Sequence, residues 1–387
     1  MKYDFDIITD RRNTDSLKYD FAPERGMPEG LLPMWVADMD FHAPTEVITH
    51  IRAAADHGIF GYAEAKDDYY EAVTGWFSSR FGYSASRKDI VKTPGVVFAL
   101  AQMIRAFTEP GDAVLIQPPV YYPFFEIIEG NDRKLTVNPL RYEDGVYSID
   151  FEDFEGKIIN DKVKLFILCS PHNPVGRVWT RAELERMDGI CRRLGVIIVS
   201  DEIHCDFVWE GSEHTCFGVI DEDAVVATSP SKSFNLAGLQ VSNIFVKNPE
   251  LRLRLKKEIA GGGYSQLNSV GLGACRSAYL HGGEWLRQLK AYLRGNIGLA
   301  QEFIADRLPE AKLVRPEGTY LLWLDFSAYH LPQAELDRRM SDGAGLWLDS
   351  GTIFGPEGEG FQRINIACPR SVVHEALERL GKEFGGQ

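Results

Sequence analysis

Five short apolar runs, Ala113–Gln117, Lys164–Ser170, Gly195–Ser200, Ala224–Thr228 and Val241–Val246, alternate with helical stretches through the middle of the chain. Continuous runs of this length suit strands buried on both faces, and intervening helices supply the crossovers of a mostly parallel sheet. Between the second and third runs, Thr180 and Glu183 form a capping box. Leu184, Met187, Ile190 and Cys191 then share one helix face, and Gly195 stops the helix. Similar stripes predict helices over Thr45–His57, Asp67–Phe81 and Ser269–Leu308, the last interrupted by Gly282 and Gly283. Beyond Leu308 the pattern changes to strand-like pieces at Gly318–Asp325, Leu346–Leu348 and Arg363–Ala367, with helices at Pro332–Met340 and Val372–Phe384. The predicted organisation is a large α/β unit over 45–285, whose sheet is flanked by helices. A smaller α+β unit is built from 286–387, with the N-terminal 1–44 packed against it.

Ligands of open α/β sheets bind outside the carboxyl ends of the strands, so the residues after each run are the candidates for chemistry. Asn173, Asp201 and Lys232 follow successive runs, 28 and 31 residues apart, or about one strand-connection-strand unit each. Ser229 and Ser231 flank the lysine turn, and Thr93 and Gly95 open a helix after Ile90–Lys92. A helix N-terminus binds phosphate, a desolvated lysine condenses with an aldehyde, and a carboxylate keeps a pyridine nitrogen protonated. That set describes pyridoxal phosphate better than a nucleotide, and neither GxxxxGK[ST] nor a strand-borne GxGxxG is present.

The formal charge of −14 argues against nucleic acid or an anionic membrane as the main partner. No apolar run is long enough to span a bilayer, and Met1–Arg12 has no secretory apolar core, so a cytoplasmic location is expected. The six cysteines, Cys169, Cys191, Cys205, Cys216, Cys275 and Cys368, show no metal-binding or disulfide spacing. No metal is expected.

The motifs TPGVV (Thr93–Val97), PPVYYPF (Pro118–Phe124), SPHNPVGRVW (Ser170–Trp179), SDEIH (Ser200–His204), SPSKSFNLAGLQ (Ser229–Gln240) and NIACPR (Asn365–Arg370) occur in order, after MWVADMDF (Met34–Phe41). Together they resemble the fold-type I pyridoxal 5'-phosphate enzymes of the class I/II aminotransferase superfamily. More narrowly, they resemble the MalY/PatB-type carbon–sulfur β-lyases, or cystathionine β-lyases. The resemblance implies that Lys232 holds the cofactor's aldehyde carbon, Asp201 pairs with its ring nitrogen and Asn173 with its phenolic oxygen. It places Tyr122 on the ring face, and Gly95, Val96, Ser229 and Ser231 at the phosphate. Tyr62 is expected to reach over from the second subunit of a homodimer, and Arg370 to clamp the substrate's α-carboxylate. Asn173 and Tyr121 would also face substrate, while Trp35 and Tyr320 are candidates for its lining.

Many relatives carry a tyrosine where His204 stands, near the phenolic oxygen, and an arginine where Gln240 stands. These departures fit the lyase branch. The motifs assign no arginine to a second, side-chain carboxylate. The implied activity is β-elimination on L-cystathionine or L-cysteine S-conjugates, giving thiol, pyruvate and ammonia. Transamination shares the same site residues. A regulatory partner role would leave no sequence signature, and no basic helix-turn-helix precedes Met34.

Overall fold

The computed structural model describes residues 3–385, so the two residues at each end of the chain lie outside the described part, including the outermost positions of the predicted smaller unit. Seven strands form the central sheet in the order Ile90–Thr93, Ser242–Val246, Val225–Thr228, Ile197–Asp201, Leu165–Cys169, Ala113–Ile116 and Lys134–Val137. All neighbours pair in parallel except Ser242–Val246, which runs antiparallel to both of its partners. Every residue of Leu165–Cys169 is buried, because helices cover both faces. The helix Arg181–Leu194 is held as its sequence predicts: Thr180 Oγ1 accepts from the Glu183 amide, and Glu183 accepts from the Thr180 amide at 2.7 Å.

The Lys134–Val137 strand and the helices Pro123–Glu129, Phe151–Asp161 and Pro249–Gly261 were not marked by periodicity. Charge explains the last of these. Its LRLRLKKE run buries only Leu251 and Leu255, with Ile259 the next buried residue of the helix.

A second, antiparallel sheet joins Lys312–Leu313, Leu321–Asp325, Phe361–Asn365 and Asp349–Ser350 in that order. The helices Ser269–His281 and Gly283–Arg307 meet at Gly282, where a Cβ would come within 2.4 Å of the Phe234 ring and 2.6 Å of the Ala278 carbonyl. Glycine is what allows the two helices to turn so tightly over Phe234.

The N-terminal segment crosses between the two sheets. Leu32–Pro33 pairs in parallel with Leu346–Trp347, and the Asn365 amide donates to the Met34 carbonyl at 2.8 Å. Wholly buried Lys18 binds Asp40 at 2.8 Å, Arg11 binds Asp38 and Asp40 at 2.6 and 2.7 Å, and the Tyr19 hydroxyl donates to Asp40 at 3.0 Å. These ion pairs fix 35–40 as a strap in front of the central sheet's carboxyl edge. Among the described residues, no helix is long and apolar enough to cross a membrane, and all six cysteines are buried and free.

Candidate active site

Successive strand ends bring Asn173, Asp201 and Lys232 to one cavity, whose walls also include Val96, Tyr121, His204 and Ser231. Asp201 closes the strand Ile197–Asp201. Its carboxylate is 4% exposed and accepts from the Ile203 amide at 3.1 Å. Burial pushes its pKa up to about 7, and neighbouring Lys232 only partly offsets this. Lys232 lies on the short helical turn Pro230–Ser233, and its Nζ donates to the Ala37 carbonyl at 2.7 Å. Desolvation lowers its pKa to about 8, against the upward pull of Asp38 and Asp201.

His204, 3% exposed, leaves Nδ1 buried without a partner, and burial with the nearby Lys232 and Arg363 charges keeps the ring neutral. Gly95 opens the helix Val96–Phe107 at φ 108°, a backbone angle that favours glycine, and an added Cβ would meet nothing within 4 Å. The first amides of that helix have no partner within the helix, as an anion site needs. Ser242 Oγ fixes the turn through Thr93 Oγ1 and the Gly95 amide, at 2.6 and 3.2 Å. Ser229 Oγ donates to the Val241 carbonyl at 2.6 Å and accepts from the Ser231 hydroxyl at 2.7 Å, which orients the serine turn.

Two expectations are corrected. Arg370 is not in this cluster. It is exposed on the first turn of the helix Arg370–Phe384, where Nε binds Asn296 and Nη2 the Tyr292 carbonyl, both at 3.2 Å. The arginine that does enter is Arg363, 3% exposed on the strand Phe361–Asn365. Its Nη1 donates to Asn173 Oδ1 at 2.9 Å and its Nη2 to the Trp35 carbonyl at 3.0 Å and to Asp349, while Nε is buried without a partner. An arginine within a strand of otherwise buried character was the available signal, since a buried cation needs a partner.

The second correction concerns the paired tyrosines. Tyr121, not Tyr122, is on the cavity wall and feels the Asp201 charge, with the Tyr122 ring 5.4 Å from that of Tyr121 on the side away from the cavity lining. Tyr122 packs, half-buried, against Phe354 at 6.3 Å between ring centres, and burial raises its pKa before the Asp349 and Arg363 charges act on it. Tyr62 is 99% exposed and does not reach this cavity; it lines a surface groove with Phe60, Pro94, Gln240 and Tyr264. Trp35 and Tyr320 are buried beside the site, and the Tyr320 hydroxyl shares the Ala37 carbonyl with Lys232 at 2.9 Å. Asp349 and the carbonyls of the strap carried no recognisable sequence signal.

The residues present fit pyridoxal phosphate. A buried carboxylate whose one hydrogen-bond donor is a backbone amide suits a protonated ring nitrogen, an unpartnered imidazole and Asn173 suit a phenolic oxygen, and the open helix start and serine turn suit a phosphate.

The model of the class I and II aminotransferases matches residues 33–380. The chain is 43% identical over 380 residues to cystathionine beta-lyase PatB of Bacillus subtilis, covering 97% of this chain and 98% of the relative. It is 34% identical to protein MalY of Escherichia coli, covering 98% of each. The crystal structure of cystalysin from Treponema denticola, which contains a pyridoxal 5'-phosphate cofactor, superposes with a TM-score of 0.95 at 38% identity, over 99% of both chains. The chain therefore belongs to the class I and II aminotransferase family, in the group that holds PatB and MalY.

Proposed function

We propose that the protein is a pyridoxal-phosphate-dependent carbon–sulfur β-lyase acting on L-cystathionine and related L-cysteine S-conjugates. The observation that carries this reading is the near full-length likeness to cystathionine beta-lyase PatB, joined to a cavity with a desolvated lysine opposite a buried carboxylate. When bound, the cofactor supplies an electron sink for the charge left on Cα.

The chain's own residues do the rest. Lys232 would hold the cofactor, and its free amine would take the Cα proton; its lowered pKa leaves a useful fraction as free amine near neutrality. Asp201 holds the proton on the ring nitrogen. Asn173 and His204 would flank the phenolic oxygen, Tyr121 would pack against the ring, and Gly95, Val96, Ser229 and Ser231 would hold the phosphate. Arg363, in place of Arg370, receives the α-carboxylate, because its fork is buried, oriented by Asn173 and Trp35, and still has Nε free. The Cβ–S bond then breaks with both electrons leaving on sulfur, and hydrolysis of the remaining three-carbon enamine gives pyruvate and ammonia.

The active form in this reading is a homodimer. The exposed run of Ile59, Phe60 and Tyr62 beside an open groove suits burial against a second copy, with Tyr62 reaching that copy's phosphate. The division at 45–285 belongs to the same reading, with the seven-stranded sheet in one part and the four-stranded sheet in the other. Six buried free thiols suit a reducing, cytoplasmic setting.

The test is L-cystathionine with cofactor-loaded protein and no keto acid. Thiol and pyruvate are expected in equal amounts. A strict requirement for added keto acid would replace elimination with transamination, and failure to take up cofactor would overturn the roles of Lys232 and Asp201.

A further inference from the structure

The helical turn that bears Lys232 spans only Pro230–Ser233. One turn fixes several dihedral angles for a single hydrogen bond, so its shape has to be imposed by neighbours. At its start, Ser229 Oγ is tied to the Val241 carbonyl. Just past its end, Asn235, at φ 57°, binds the Met39 amide and carbonyl and the Phe41 carbonyl at 2.9 to 3.0 Å, which seats the strap on the turn. At the end itself, the Ser233 hydroxyl donates to Asp206 Oδ2 at 2.6 Å, and Trp76 Nε1 donates to the same oxygen at 3.3 Å. Ser233, Asp206 and Trp76 are all buried.

Asp206 stands where the sheet stops holding the two chains together. The strands Ile197–Asp201 and Val225–Thr228 pair as far as Asp201 with Ala227, and the Glu202 amide donates to the Ala227 carbonyl at 2.9 Å. Past that rung, one chain turns through His204 and is closed by the Phe207 amide on the His204 carbonyl at 2.9 Å, while the other turns through Lys232. The Ser233–Asp206 bond joins these two turns. It therefore sets the Lys232 turn against the one that carries Asp201, Ile203 and His204 on the cavity wall, although Asp206 is not on that wall. Burial raises the Asp206 pKa, against the pull of the Ser233 bond and of Arg80. Either form of the carboxyl keeps an oxygen that accepts from Ser233.

We propose that Asp206 is a positioning residue for Lys232, acting through the Ser233 hydroxyl to hold the lysine amine in line for proton transfer at Cα. The proposal rests on the lyase reading, in which Lys232 takes that proton. Proton transfer demands the amine within hydrogen-bond reach of its target, and a misplacement of about 1 Å can cost on the order of 100-fold in rate. Binding of the substrate's carboxylate depends on Arg363 and Asn173, which stand on other strands and do not contact Asp206 or Ser233. Loss of the bond should therefore fall on turnover rather than on affinity.

Ser233→Ala removes the donor and leaves the Asp206–Trp76 contact in place. In cofactor-loaded protein it is expected to lower kcat for pyruvate release from L-cystathionine about 10- to 30-fold, with KM within about twofold. Asp206→Ala should lose at least as much, and the double variant no more than Asp206→Ala alone, as the two ends of one bond require. Asp206→Asn keeps an acceptor oxygen and should recover most of the loss. Trp76→Phe removes the other donor to Asp206 without touching Ser233, and its kcat should stay within about twofold of the parent. Labelling of Lys232 by an amine-directed reagent in cofactor-free protein is the readout independent of turnover. Its midpoint, about pH 8 in the parent, should move up in Ser233→Ala, because a lysine loosened from burial regains its preference for the charged form while Asp38, Arg363 and Asp201 still act on it. An unmoved midpoint, or a kcat loss in Trp76→Phe equal to that in Ser233→Ala, overturns the proposal and leaves the lyase reading standing. A parent protein that takes up cofactor and releases no pyruvate overturns the lyase reading and with it the role in proton transfer.

Discussion

The two walls of the cavity are built differently. On one side, Asn173, Asp201 and Lys232 project from the ends of strands in a sheet buried on both faces, and function rests on side chains. On the other side, the strap offers main-chain oxygens: the carbonyls of residues 35 to 39 accept from Arg363, Asn365, Lys232 and Tyr320, Asn365 again, and Asn235 with Arg11. The first wall is positioned by the regular geometry of the sheet; the second by a buried ion-pair cluster around Asp40. The contrast teaches that a site can take its reactive groups from periodic structure and its restraint from a segment with none.

The sharpest way to break this comparison is on the reactive side. Lys232→Ala should reduce pyruvate release by at least 10³-fold, the scale of losing a positioned proton-transfer group, with folding unchanged by circular dichroism. On the strap side, Lys18→Met leaves Asp40 buried beside a lost cation. A destabilisation of about 3 to 5 kcal/mol in urea unfolding is expected, and a loss under 1 kcal/mol would mean that the cluster does not hold the strap.

Between these lies the arginine pair. Arg363→Ala should lower kcat/KM roughly 100-fold by removing charge-assisted hydrogen bonds worth about 1.5 to 3 kcal/mol each. Arg370→Ala should stay within about twofold and act mainly on the thermal midpoint through its helix contacts. The reverse pattern would restore Arg370 to the site.

The smallest effect is one of pH. Labelling of Lys232 in cofactor-free protein by an amine-directed reagent should rise through about pH 8. Because the folded pKa lies below the unfolded one, stability should climb with pH above about 8, where the unfolded chain holds the extra proton, and should not change from this group at lower pH. Lys232→Met should remove that climb.

Much of the reactive wall was legible because its determinants are local. Strand ends, the Thr180–Glu183 box and the turn around Lys232 each lie within a few residues of the pattern that marks them. Arg363 and Arg370 share one short motif, and choosing between them required knowing that one lies on a strand paired to Leu321–Asp325 and the other on the first turn of a helix. The order of Tyr121 and Tyr122 depends on how a loop turns before Pro123, which no periodicity encodes. The strap was least legible of all, because its partners, Lys232, Tyr320, Arg363 and Asn365, lie some 200 to 330 residues away and meet its peptide groups rather than its side chains.

That last feature bears on how the wall tolerates change. Val36 and Ala37 contribute oxygens that every amino acid possesses, so their side chains can be exchanged, within the space available, without deleting an acceptor. A single inserted or deleted residue between Trp35 and Met39 would instead put every later carbonyl out of step with its donor. This stretch is tolerant in spelling and strict in length.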